Sequence, residues 1–211
     1  RQIHLSADQL LAEHEVRGER RPDWLTYALL QIERGARTAL IGRLHGTALR
    51  TDMPIAELLC IVDSKEAYSY SLSNDDRSAY YLVCANEYGK IAEEAINSDI
   101  RAEMLHHQGK ALRRCGELEA AWKCFQRLLA ERPGWHATYG QIAHMGTQWG
   151  ASVEVKSEGE KAIRCLIECI LKDLYAVPLR VSLAALSRLR SYPDMNKWLV
   201  TAPENVKQLA N

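Results

Sequence analysis

Apolar residues recur every three to four positions along nearly the whole chain, the spacing of helices that bury one face. Ser6-x-x-Gln9 reads as a capping box opening a helix through Arg17, which stops at Gly18. Pro22-Asp23 opens a second helix with Trp24, Tyr27, Ala28, Leu30 and Ile32 among its apolar members, ending near Gly35. Ala36–Leu49 is a third, and Pro54 starts a fourth over Ile55–Val62. The polar, Ser- and Tyr-rich segment Ser64–Asp76 alternates at Tyr68, Tyr70 and Leu72 but has no partner strand in view, so it reads as a loop or short helix. Further helices are predicted over Arg77–Ile96, over Ile100–Cys115 with Ser98-Asp99 as its cap, and over Leu118–Arg132 up to Pro133. Trp135–Trp149, ended by Gly150, then Glu160–Tyr175 and Pro178–Arg190 complete the run. Ala151–Gly159 between them reads as an exposed, elongated turn, and the tail after Pro193 holds at most short helices. The pattern is all-α, in antiparallel pairs with short connections.

One stretch has a more specific pattern. Leu105, Gly109 and Leu112 lie along one helix, Gly116 sits at the turn, Ala121 and Phe125 follow on the next helix, and Pro133 closes the unit. Small Gly109 and Ala121 let two helices of a hairpin approach closely, Phe125 fills the groove between units, and Gly116 makes the tight turn. Residues 102–133 thus resemble a single tetratricopeptide (TPR) motif, although the large first-helix aromatic is only Leu105. A shift of 34 residues carries Leu105 to Tyr139, Gly109 to Ala143 and Gly116 to Gly150. With about seven residues inserted at Ala151–Ser157, Ala121 corresponds to Ala162 and Phe125 to Leu166. The same register leads onward to Ala184, and upstream Cys84 and Tyr88 match a preceding second helix.

The resemblance covers about residues 77–190. It implies a right-handed α-solenoid of antiparallel helix pairs, preceded by an N-terminal helical region (1–63) and followed by a C-terminal capping tail (191–211). A HEAT-like or other α-solenoid meets most of the same observations.

The TPR resemblance also points to a surface. Glu103, His106, Lys110 and Arg113 fall three to four apart on one helix face, with Arg114 beside them. In TPR proteins this face of the first helix lines the concave groove, so the resemblance implies a basic segment that binds a carboxylate or acidic peptide through charge-assisted hydrogen bonds. The corresponding face of the next first helix offers Ala137, Gly140, His144 and Gln148, without the paired Asn and Lys of a full carboxylate clamp. The alternative is a solvated basic face. The expected function is a protein–protein interaction scaffold or adaptor that takes a peptide or partner helix.

Charge and composition narrow the other classes. The 211 residues balance 27 Lys+Arg against 27 Asp+Glu, which argues against bulk attraction to nucleic acid or anionic lipid. An RNA-binding repeat protein would need a basic stripe through several repeats, and only one repeat shows it. Twelve Gly and six Pro are too few for a low-complexity chain. No apolar run approaches a membrane span, and Arg1–Ser6 lacks the apolar stretch of a signal peptide.

Six scattered cysteines without a CxxC suggest neither a disulfide framework nor a zinc ribbon, so the cytoplasm is the expected compartment. Cys165 and Cys169, four apart, read as small core residues rather than metal ligands. Adjacent His106 and His107 point about 100° apart and do not easily share a ligand. Trp24, Trp122, Trp135 and Trp149 sit in or flank helices, which favours packing over base stacking. No GxGxxG, Walker loop or HExxH occurs, so no cofactor, no metal and no catalytic residue is expected. A helical enzyme with scattered catalytic residues stays open, because triad partners need not be close in sequence. Self-association through an uncapped solenoid end is a further expectation.

Overall fold

A computed structural model describes residues 41, 42, 44–148, 151–172, 200 and 204. The described residues form six α-helices and no strand: α1 (Ile55–Ser69), α2 (Asn74–Glu94), α3 (Ser98–Arg114), α4 (Leu118–Glu131), α5 (His136–Thr147) and α6 (Val153–Lys172). The helices expected over Ser6–Arg17, Pro22–Gly35 and Pro178–Arg190, and nearly all of the 191–211 tail, lie outside the described residues. The chain divides into two compact units, 1–107 and 108–211, with the division falling inside α3.

In the first unit, helix α1 starts after Pro54 as expected but continues seven residues beyond Val62, through the first part of the polar segment read as a loop or short helix, Ser64–Ser69. Two of its buried polar side chains, Lys65 and Ser69, find partners. Lys65, almost enclosed, pairs with Glu87 of α2 at 3.0 Å and donates to the His45 carbonyl at 3.0 Å. Buried Ser69 donates to the Glu66 carbonyl and shares a hydrogen bond of 2.6 Å with the Tyr81 hydroxyl. Tyr68 stacks on His45 at 3.8 Å between ring centroids. Arg77 then closes the turn between α1 and α2, donating to the Ser69 and Leu72 carbonyls at 2.9 Å each.

The helix expected over Ala36–Leu49 has ended by His45, where a turn begins. The Leu49 N–H is instead held by the Glu87 carboxylate at 2.8 Å. Ser73 caps α2 by accepting from the Asp76 N–H at 3.2 Å. The cap of α3 is Asn97 rather than Ser98-Asp99: its Oδ1 accepts from the N–H groups of Asp99 and Ile100 at 2.8 and 3.3 Å.

In the second unit, α3 ends in a Schellman motif. Gly116 has φ +91°, its N–H bonds the Arg113 carbonyl (3.3 Å), and the Glu117 N–H bonds the Leu112 carbonyl (2.9 Å). A side chain at that φ is strained, which is why glycine occupies the turn. The chain reverses into α4, whose fully buried Phe125 lies directly against Gly109: a Cβ at Gly109 would come within 2.8 Å of ring atoms Cδ1 and Cζ. Ala121 and Leu128 of α4 are also enclosed.

Helix α4 packs on α5, and α5 packs on α6. The expectation of an exposed turn over Ala151–Gly159 is corrected here in its secondary structure, while most of the stretch is exposed as expected. Ser152 accepts from the Val155 N–H at 3.2 Å and opens α6, so that all but two residues of the stretch are helical. Ala151, Val155 and Gly159 are buried, which anchors one side of this added length to the core, while Ser152, Val153, Glu154, Lys156 and Ser157 stay exposed.

Candidate functional site

The six residues expected at the partner surface fall into both units. In the first, Glu103 lies 3.7 Å from His107 Nε2, one turn along α3, and His107 also meets the Tyr88 ring edge-on. His106 is buried, with its ring against that of His107 at 5.2 Å. This histidine pair is part of helix packing.

In the second unit, Arg113 is buried rather than projecting into solvent. Its Nε donates to Gln141 at 3.2 Å and its Nη1 to Gln148 at 3.4 Å, both reaching from α5 and the residue that caps it. A guanidinium offers five donors in a planar fork, and two amide oxygens on the neighbouring helix answer part of it. Arg113 therefore braces α3 against α5. Lys110 and Arg114, four apart on α3, are half-buried, and so is His144 on α5.

None of the six lines the groove found elsewhere in the second unit, a trough of about 530 Å³ formed by α4, α5 and α6. From α4 come Trp122, Gln126, Leu129 and Ala130, spaced i, i+4, i+7 and i+8, which places them on one face. Tyr139 and Ile142 of α5 make the floor. Tyr139 is fixed by a 2.7 Å hydrogen bond from its hydroxyl to the Pro133 carbonyl. From α6 come Glu154, Glu158, Lys161, Ala162 and Cys165, again one stripe. Lys161 is ion-paired with Glu158. None of the protein-family models, curated proteins or solved structures compared with the chain matches it.

The groove was legible only in part. Trp122 stood out in the sequence as a packing residue, and it is half-buried with one side on the trough. Cys165, expected in the core, is half-buried at the groove wall, and the side chain of Cys169 lies outside the described residues. The acidic stripe Glu154–Glu158 was hidden because its segment read as a turn, and a turn has no helical face.

The first unit has a second polar assembly that periodicity did not reveal. Around the Lys65–Glu87 pair lie Tyr80, Cys84 and Tyr88 of α2. Burial pushes the Cys84 thiol and the Tyr80 and Tyr88 hydroxyls up from their ordinary values, so all three are neutral at pH 7. A thiol held protonated in this way is a poor nucleophile. Cys115 and Cys124 are likewise pushed up by burial. Among the described residues no group of three or more His, Cys, Asp or Glu is placed to hold a metal ion. Nor is any helix among them long and apolar enough to cross a membrane.

Proposed function

We propose that this chain is a helical-repeat interaction module, TPR-like over about residues 77–190, that binds a peptide or partner helix as a scaffold or adaptor. The observation that supports this reading is a correspondence of buried positions between α3–α4 and α5–α6. Small Gly109 and Ala143 are buried at matching positions of α3 and α5, and small Ala121 and Ala162 and large Phe125 and Leu166 at matching positions of α4 and α6. Each pair of positions is related by the 34-residue shift or by that shift plus the insertion. A hairpin of this kind cannot bury its apolar face alone, and stacking leaves a continuous surface free for a partner.

The binding surface in this reading is the α3–α5 face. Lys110 and Arg114 offer the cationic contacts, with His144 alongside, and the partner is an acidic or carboxylate-bearing peptide. Arg113 serves this face by bracing the two helices. Affinity capture from source lysate tests the reading with wild type and a Lys110→Glu/Arg114→Glu variant whose circular dichroism is unchanged. The expected result is a stoichiometric protein partner that the variant loses. A partner retained equally by the variant removes the basic face from the reading.

A further inference from the structure

The trough between α4, α5 and α6 matches neither the chemistry nor the position of the basic face, and we propose that it is a second docking site, which takes a basic amphipathic helix of about three turns from a partner protein. Both walls are helical stripes. The α6 stripe from Glu154 to Cys165 spans eleven residue steps, about 16 Å at ~1.5 Å per residue, or about three turns. The trough presents Trp122, Leu129 and Tyr139 half-buried, over Ile142 and Ala162. Such a surface suits apolar anchors spaced i, i+3/i+4 and i+7 on a docked helix.

An extended peptide fits this surface less well. The walls are helices whose backbone groups are already paired, so they offer a strand no ladder of donors and acceptors, whereas a helix satisfies its own backbone.

The charge of the ligand follows from the rim. Glu154, Glu158 and Lys161 are the charged residues that line the trough, and Glu158 and Lys161 neutralise one another, so the net charge of the lining is the single carboxylate of Glu154. Glu154 is exposed one turn further on. The Trp122 and Tyr139 rings add faces that attract a guanidinium or ammonium. A ligand with an Arg or Lys beside its apolar stripe, placed to meet Glu154, is therefore complementary. This is opposite to the ligand expected at Lys110 and Arg114, so the two surfaces discriminate between partners.

The test is selection of helix-stabilised 14-residue peptides from a displayed library on the full chain, followed by fluorescence polarisation of the enriched peptides. The expected peptides carry an i, i+4, i+7 apolar stripe with an excess of Arg and Lys. Their affinity is expected to fall at least tenfold with Trp122→Ala, several-fold with Glu154→Lys, and not at all with Lys110→Glu/Arg114→Glu. The melting temperature of each variant reports its folding, and Gln126→Arg, a charge and bulk placed at an exposed position of the α4 wall, offers a second block of the trough should Trp122→Ala unfold. The proposal is overturned if no peptide is enriched, if the enriched peptides are acidic or lack helical spacing, or if they bind the trough variants as tightly as wild type. Concentration-dependent dimerisation that Trp122→Ala abolishes would also overturn it, by making a second copy of the chain the occupant.

Discussion

Replacement of Gly109 by alanine is the most direct perturbation of the α3–α4 hairpin. In an exposed helix interior this change is stabilising, because alanine is favoured over glycine by about 1 kcal/mol. Here the added Cβ lies within 2.8 Å of Phe125 Cδ1 and Cζ and closer still to Cε1, against the ~3.5–4.0 Å at which carbon atoms rest in contact. The ring is fully buried, so it must shift by about 1 Å against its own neighbours. Overpacking of this kind costs about 1–3 kcal/mol, and close overlap with a ring that cannot swing away lies at the upper end. After the propensity gain, the expected net loss is about 1–2 kcal/mol. At about 2–4 °C per kcal/mol for a chain of this size, the melting temperature followed by circular dichroism falls by ~2–8 °C. Gly134→Ala, with nothing within 4 Å of the new Cβ, is the control and stays within about 0.5 kcal/mol of wild type. Phe125→Leu should relieve part of the Gly109→Ala penalty, so the double-mutant cycle has a favourable coupling energy. A Gly109→Ala variant that melts higher than wild type would refute the close-approach argument.

Two further outcomes are expected in the first unit. Lys65→Met leaves the Glu87 carboxylate without its cation in a largely enclosed site and should cost about 2–3 kcal/mol; Lys65→Met/Glu87→Gln, which keeps an acceptor for the Leu49 N–H, should cost less than the sum of the single changes in urea unfolding. Because burial raises the folded-state values of Cys84, Tyr80 and Tyr88, the folded chain holds these protons more tightly than the unfolded one. Their contribution is therefore complete below about pH 9 and is lost as pH climbs through the raised values. Tyrosinate absorbance should show Tyr80 and Tyr88 ionising only with unfolding, and an unchanged alkaline profile for Tyr80→Phe/Tyr88→Phe would contradict the assignment.

The hairpin core was legible because it rests on local rules. Gly116 before a helix start, small residues at 109 and 121, and a ring at 125 each have one inexpensive structural solution, and those solutions agree. Two segments misled for a shared reason: helical periodicity is read from apolar residues, whereas both are stabilised by polar ones. In 64–69, Lys65 and Ser69 occupy core positions that periodicity assigns to apolar side chains, and only their partners, Glu87 and Tyr81, make that burial tolerable. In 151–159, Ser152 supplies the cap, and Gly159 sits buried without any apolar side chain to announce it. Arg113 shows the same limit at the proposed surface. Its spacing with His106 and Lys110 was correct for one helix face, but the depth to which that face is covered depends on Gln141 and Gln148, 28 and 35 residues away.

Hydrogen exchange on the full chain, alone and with its captured partner, tests the interaction reading most directly. The expected result is slowed exchange in α3 and α5 on binding the partner, lost in the Lys110→Glu/Arg114→Glu variant, with α1 unaffected. Protection confined to α1 and α2, or no difference anywhere along the chain, would contradict it.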